Sequence, residues 1–177
     1  FPQAVASYAL AAFAGIRAEE ITRLEAENVT AEGIELTAAV TKKGRRRHIV
    51  PNDTLRAWLK KYPFQPCSNW RRIDRACRCL AGWRVAPDAQ LVEIDTTAET
   101  FTSRSPWPQN ALRHSHATYS IAAGASLESL LWEFGHTGNA SVLRAHYVGR
   151  SSKKQALEFF AIVPEGEAKP KTIQGVA

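Results

Sequence analysis

The 177 residues of this chain are 45% hydrophobic and 23% charged, a composition that suits one well-packed domain at a length too short for two large ones. The formal charge of +6 and the pI of about 9.5 are compatible with a polyanionic partner, although a basic balance alone does not identify one. No apolar run approaches the roughly 20 residues of a membrane-spanning helix, and the N-terminus lacks a signal-peptide pattern. We therefore expect a cytoplasmic protein without a membrane partner.

The first half of the chain combines helical patterns with one extended region. An apolar helical run ends at Gly15, and in the next helical pattern Ile21 and Leu24 share one face while Glu19 and Glu20 are expected to remain solvated. Two β-branched runs flank the basic stretch TKKGRRR, which is typical of a hairpin with a basic tip. The predicted elements, in chain order, are helices over residues 4–14 and 18–24, a hairpin over residues 29–50, and helices over residues 53–62 and 69–85.

The second half is predicted to be helical after an irregular connection. Pro87, Pro106 and Pro108 disfavour continuous helix, so we expect residues 86–109 to be irregular or partly extended. Helices are predicted over residues 109–123, 127–134, 140–146 and 151–162. The expected fold class is therefore mainly α with a small antiparallel β-sheet (α+β). We expect one domain over residues 1–163, followed by a flexible C-terminal tail over residues 164–177, whose apolar content is too low to order it.

The three cysteines do not form a metal-binding pattern. Cys67, Cys77 and Cys79 give neither an even number nor the paired spacing of a structural zinc site. We therefore expect reduced thiols with structural roles, and no bound metal.

Four short segments carry the residues that point to a function. They are AGIRAEEI around Arg17, TKKGRRRHIV around Lys42, NALRHSHAT around Arg113, and FGHTGNASVLRAHY ending at Tyr147. In this order and at these separations they resemble the C-terminal catalytic domain of the tyrosine recombinase, or phage integrase, family. The resemblance covers residues 4 to about 162 and implies that family's fold. Family members normally carry an additional N-terminal domain that clamps DNA, and because this chain begins at the first catalytic-domain helix we expect it to be a fragment.

The resemblance also implies a catalytic set and a reaction. The set is Arg17, Lys42, Arg113, His136 and Tyr147. Arginine can present two parallel N–H donors to phosphate oxygens and offset the charge that grows on them in the transition state. The tyrosine attacks a DNA phosphodiester and gives a 3′-phosphotyrosyl intermediate with a free 5′-hydroxyl, and a second 5′-hydroxyl then reverses the step. No metal or organic cofactor is implied, because the cationic side chains supply the charge that Mg²⁺ supplies in two-metal nucleases.

The resemblance also implies a general acid and a role for the histidine of the later motif. In the family, a lysine on a β-hairpin protonates the leaving 5′-oxygen. The position two residues before glycine selects Lys42, whereas counting back from Pro51 selects Lys43 as the alternative. His136, in the FGH element, is expected to contact phosphate or to orient a neighbouring group.

The motif around the second arginine departs from the family pattern at one position. In the family this segment usually has the pattern H-x-L-R-H-[ST]. Here Asn110 stands at its first position, where a histidine is expected. An amide can donate a hydrogen bond but cannot act as a general base near neutral pH. Asn110 is therefore expected to have a supporting role, and either His114 or His116 is a candidate to compensate for it.

Duplex DNA is the partner that the resemblance implies. The run Arg45, Arg46 and Arg47 at the hairpin tip is expected to contact the DNA backbone and to give salt-sensitive affinity. The full-length protein is expected to form tetramers on paired DNA sites, as in the family. The biological role is then integration or recombination of a mobile element.

Two other functions are compatible with the same residues. Asn110 and the missing clamp domain motivate a DNA-binding module with impaired catalysis, in which a covalent adduct with DNA would not form. A type IB topoisomerase shares the nucleophile and the arginines but relaxes supercoils without choosing a site. Taken one at a time, these residues also have ordinary structural interpretations: ion pairs for Arg17 and Arg113, a helix cap for His136, and a half-buried core position for Tyr147. Their joint placement is what favours catalysis.

Overall fold

A computed structural model of the chain describes residues 1–41, 44–83, 107–135 and 141–170, which form a mainly helical fold with one two-stranded antiparallel sheet. This is the α+β architecture predicted from the sequence. In chain order its elements are α1 (Val5–Phe13), α2 (Ala18–Ile21), β1 (Ile34–Leu36), β2 (Arg47–Ile49), α3 (Asp53–Lys61), α4 (Trp70–Leu80), α5 (Ala111–Ala123), α6 (Leu127–Glu133), α7 (Ser141–Tyr147) and α8 (Lys153–Phe160). No helix within these ranges is long and apolar enough to cross a lipid bilayer.

Helix α1 lies at the centre of the main core, as its apolar sequence predicts. It packs against α3 on one side and α5 on another, and α8 in turn packs on α5. Leu10 is fully buried, and the ring of Phe13 lies 5.2 Å from that of Phe159 and 6.4 Å from that of Phe160. Burying one such side chain contributes about 1.5–3 kcal/mol to the free energy of unfolding. The C-terminal end of α1 is thereby held in the interior, where the candidate site begins.

Most predicted helices are present, with ends that differ by a few residues. Helix α2 ends at Ile21 instead of residue 24, because the chain turns directly after it. Helix α4 ends at Leu80, before Gly82, which adopts a left-handed φ of 78°. Residues 81–83, where the helix was predicted to continue, are not helical. Residues 84 and 85 of that predicted helix, and nearly all of the predicted irregular connection, lie outside the described part of the chain.

The predicted hairpin is confirmed as two short strands. Ile34 pairs with Ile49 and Leu36 with Arg47 in an antiparallel register. Because side chains alternate across a strand, Arg47 and Ile49 point to the same face as the core, whereas His48 is exposed. The register therefore turns Arg47 away from solvent.

The first residues of the predicted C-terminal tail contact α3. Lys61 Nζ donates to the carbonyl of Glu165 at 2.7 Å, and just before the tail Trp58 Nε1 donates to the carbonyl of Ile162 at 2.7 Å. Lys60 Nζ lies 3.1 Å from a carboxylate oxygen of Glu167. Glu165 and Glu167 therefore lie against α3, and residues 171–177 lie outside the described residues.

Candidate active site

The turn between α1 and α2 positions Arg17. Gly15 has a left-handed φ of 61°, and a Cβ atom there would lie 2.7 Å from Cε1 of Phe134 and 2.9 Å from Cδ2 of His116. Only glycine accommodates both the conformation and this close approach. Arg17 then serves as the extended N-cap residue of α2, and its backbone N–H donates to Glu20 Oε2 at 3.2 Å. The conformation of residues 15–17 therefore places Arg17 at the edge of the core.

Arg113 projects from α5 and is held by two backbone carbonyls. Its Nη1 donates to the carbonyl of Gly15 at 2.5 Å and its Nη2 to the carbonyl of Phe134 at 3.0 Å, while the guanidinium carbon lies 3.8 Å from the centre of the Phe134 ring. Burial, together with the charges of Arg17 and Arg47, lowers the pKa of Arg113 to about 9. The guanidinium therefore remains charged at neutral pH in a defined orientation.

The C-terminal end of α6 brings the two arginines together. The Phe134 carbonyl, at the C-cap of α6, accepts from Arg113 and also from Arg17 Nη1 at 3.5 Å. Carbonyls at helix C-termini carry partial negative charge and favour cations. Arg17 and Arg113, which are far apart in the sequence, thus share one carbonyl acceptor.

Glu20 is a member of the site that sequence reasoning placed in solvent. Its side chain is 1% exposed, and its two oxygens accept from Arg47 Nη1 at 3.1 Å and Nη2 at 2.5 Å, while Oε1 also lies 3.3 Å from Arg17 Nη1. Burial raises the pKa of Glu20, but the hydrogen bonds and charges of Arg47 and Arg17 outweigh it and hold that pKa below its ordinary value. The carboxylate stays ionised and fixes both arginines.

Arg47 accordingly differs from its two neighbours in the basic run. All three were expected to contact DNA, but only Arg45 and Arg46 are exposed. The side chain of Arg47 is 8% exposed and is occupied by Glu20. The physical reason is the strand alternation that turns it inward. Arg47 therefore belongs to the support behind the site and does not present its guanidinium on the surface.

Tyr147 lies at the end of α7, where its hydroxyl forms a hydrogen bond with Nδ1 of His114 on α5. The two rings are stacked, with centroids 5.6 Å apart and planes inclined by 29°. Burial raises the pKa of Tyr147, an effect that the charge of Arg113 opposes. Burial, then the charges of Arg113 and His146, lower the pKa of His114. At neutral pH the pair is therefore a phenol beside a neutral imidazole.

The side chains of the two arginines and of the His114–Tyr147 pair line one open cavity of about 850 Å³. Its described lining is rich in cations and polar groups and includes no aspartate or glutamate. The lining residues that bear on chemistry are Arg17, Asn110, Arg113, His114, His146, Tyr147 and Arg150. An electropositive cavity that combines guanidinium groups with a tyrosine hydroxyl is suited to bind an anion and to bring a nucleophile to it.

Asn110 lies at the start of α5 with a left-handed backbone. Its φ is 55° and its ψ is 27°, and it is the N-cap residue of the helix. Asparagine is among the few residues that adopt this conformation readily. Local geometry therefore offers a reason for an asparagine here, and the residue also lines the cavity.

Of the remaining predicted residues, three lie outside the described chain and one lies away from the cavity. Lys42, Lys43 and His136 all lie outside the described residues. His116 is 3% exposed and is not among the described lining of the cavity, and neither of its ring nitrogens has a hydrogen-bond partner among the described residues. Of the two histidines considered as substitutes for the missing one, His114 is therefore the one at the site.

Sequence reasoning missed Glu20, His146 and Arg150. Glu20 stands three residues after Arg17, the spacing at which an acceptor can return to a helix N-terminus, so that signal was present. His146 adjoins the predicted nucleophile, and Arg150 follows it in the YVGR segment. Comparison with known protein families and with curated proteins gives no match for this chain.

Proposed function

We propose that this chain is the catalytic domain of a site-specific DNA recombinase or integrase that acts as a tyrosine recombinase. The observation that carries the proposal is the meeting of Arg17, Arg113 and Tyr147 at one cavity whose described lining contains no carboxylate. These three residues come from three separate sequence motifs. Their motifs, in this order, are also those that resemble the family, so sequence and geometry support the same function.

The two arginines serve the scissile phosphate. A phosphodiester repels nucleophiles by its charge, and more charge develops on its non-bridging oxygens as the pentavalent state forms. Arg113 is oriented by two carbonyls and Arg17 by Glu20, so neither guanidinium has to be reorganised when the anion arrives. Preorganised donors of this kind lower the barrier more than mobile ones do.

Tyr147 is the nucleophile of the proposed reaction. Its phenolic oxygen bonds to phosphorus, the bond from phosphorus to the 5′-oxygen breaks, and the product is a 3′-phosphotyrosyl link with a free 5′-hydroxyl. A hairpin lysine, Lys42 or Lys43, protonates the leaving oxygen, and His136 assists at the phosphate. Attack by another 5′-hydroxyl rejoins DNA and releases the tyrosine. The reaction needs no metal or organic cofactor because side-chain cations offset the charge.

Exposed basic residues on two segments favour duplex DNA over a small phosphate ester as the ligand. Arg144, His146 and Arg150 are exposed on and just after α7, and Arg45 and Arg46 are exposed near the hairpin tip. Neutralising several phosphates in this way makes affinity fall steeply with salt. Self-association into tetramers on paired DNA sites then completes strand exchange.

Covalent trapping tests the proposal. The protein is incubated with nicked suicide DNA substrates carrying candidate sites, and adducts are resolved on denaturing gels. We expect an adduct that forms in EDTA and disappears in Tyr147→Phe. Tyr62→Phe, which removes a hydroxyl at the end of α3 and outside the described cavity lining, is the matched control and retains the adduct.

A DNA-binding module without catalysis is the second candidate, and Asn110 is the observation that favours it. Salt-sensitive DNA binding with no adduct on any nicked substrate supports that module and contradicts the enzyme. A supercoil-relaxation assay separates the recombinase from a type IB topoisomerase, because only the topoisomerase relaxes plasmids that lack a recombination site.

A further inference from the structure

The proposed attack by Tyr147 requires a group that accepts its phenolic proton. Burial keeps the pKa of Tyr147 above its ordinary value, so the hydroxyl is protonated at neutral pH and must lose its proton as it attacks. In the family pattern a histidine is expected at position 110, but Asn110 cannot accept a proton there. Some other group at the cavity has to do so.

His114 is the imidazole that touches the phenol. Its Nδ1 is hydrogen-bonded to the Tyr147 hydroxyl, and the contact joins α5 to α7 across 33 positions of sequence. The two rings are also stacked, with centroids 5.6 Å apart. His146 also lines the cavity, but its ring lies edge-on to Tyr147 with centroids 6.3 Å apart, and His116 lies behind the site. Geometry thus singles out His114.

We propose that His114 is the general base of the reaction, accepting the phenolic proton of Tyr147 through Nδ1 while the tyrosine oxygen bonds to phosphorus. This inference rests on the proposed function. The O–H bond of the phenol breaks as the O–P bond forms, and the proton remains on the imidazole. The 5′-oxygen departs with its bonding electron pair and takes a proton from the general acid. On rejoining, His114 returns its proton to the tyrosine.

The charges around His114 suit this role. Arg113 precedes it on α5, His146 faces it from α7, and Arg17 and Arg150 line the same cavity. No described acidic residue lines the cavity to stabilise the imidazolium. Burial and the charges of Arg113 and His146 hold the pKa of His114 below its ordinary value of 6.5, so the ring is neutral and able to accept at neutral pH. Its capacity as a base is lost as the pH falls through that lowered pKa.

The pH dependence of single-turnover adduct formation tests the role. A suicide substrate with a 5′-bridging phosphorothiolate is used, because its leaving group needs no proton and the rate then reports on the nucleophile. We expect His114→Asn, which can accept a hydrogen bond but not a proton, to slow adduct formation by about 10²–10⁴-fold at pH 7. The rate of adduct formation by His114→Asn should then rise with pH into the range where the phenol itself ionises. Imidazole in the buffer should restore adduct formation by His114→Ala.

A titration that needs no turnover separates this inference from the proposed function. The hydrogen bond from the phenol favours neutral His114, so Tyr147→Phe should raise the pKa of His114 as followed by NMR. His48→Asn, an exposed substitution on β2, is the control and leaves both the adduct rate and the His114 titration unchanged. Adducts in His114→Asn at the wild-type rate and pH profile overturn the inference while the recombinase proposal stands. If the wild-type protein forms no adduct, the recombinase proposal and this inference fall together, whatever the titration reports about the contact.

Discussion

The most specific structural prediction concerns the buried carboxylate of Glu20. Substitution by glutamine preserves the shape of the side chain but removes its charge, which leaves the guanidinium of Arg47, whose side chain is 8% exposed, without its ionic partner. Removing one member of a buried pair costs about 3–5 kcal/mol. Because the glutamine oxygen still accepts one hydrogen bond, we expect a loss near the lower end, about 3 kcal/mol in the free energy of unfolding. In a chain of this size that lowers Tm by roughly 6–12 °C.

Urea denaturation at neutral pH measures this loss, and the adjacent residue supplies the control. Glu19 also pairs with an arginine, Arg71, but the two side chains are 62% and 82% exposed. Solvent screens such a pair, so Glu19→Gln should cost less than about 1 kcal/mol. Equal losses in Glu20→Gln and Glu19→Gln would refute the claim that Glu20 is a buried organising charge.

The pH dependence of the same difference follows from the lowered pKa of Glu20. A carboxyl with a folded-state pKa below its unfolded-state value stabilises the fold fully above the unfolded value, ordinarily 4.5, and loses that contribution as the pH falls through the folded value. The gap in stability between the wild type and Glu20→Gln should therefore be complete at pH 7 and narrow on acidification below about 4.5. A gap that widens on acidification contradicts the assigned direction.

The other predictions concern the arginine geometry and two supports of the fold. Arg113→Lys should reduce single-turnover adduct formation by about 10²–10³-fold, while DNA affinity measured by fluorescence anisotropy falls much less; equal losses would contradict a transition-state role. Gly15→Ala places a non-glycine residue at φ 61° with its Cβ 2.7 Å from Phe134, and urea denaturation should show a loss of at least about 1–2 kcal/mol. Asn52→Ala removes the N-cap of α3 and a buried 2.7 Å hydrogen bond to the carbonyl of Phe13, and should cost about 2 kcal/mol or more in the same assay.

Local sequence signals were sufficient for most of the helices. Helix α3 begins at an asparagine cap, carries an acidic residue in its first turn and lysines in its last, and ends within one residue of the prediction. Helix α8 begins after Ser152, whose hydroxyl accepts from the backbone N–H of Gln155 at 3.2 Å. Caps and charges of this kind act within one turn of helix, so they can be read from neighbouring residues alone.

Burial of charged groups was not predictable in the same way. The sequence pattern indicated that Glu20 would be solvated and that Arg47 would lie on the surface in contact with DNA, because charged residues are usually exposed. They are buried because α2 and β2 lie close together although they are 27 positions apart in sequence. Each of the two side chains then neutralises the charge of the other. That approach depends on the register of the hairpin and on the packing of α2 against α1, neither of which a local pattern specifies.

By itself, the sequence determined the helical class, the hairpin, and the motif residues Arg17, Arg113 and Tyr147, because periodicity, caps and short motifs depend on neighbours along the chain. Tertiary structure alone decided that these three line one cavity, that Glu20 and Arg47 support it from behind, and that His114 meets the phenol. The physical reason is that burial and hydrogen bonding between distant segments depend on how the helices pack, and the same residue types could equally have been solvated in another packing.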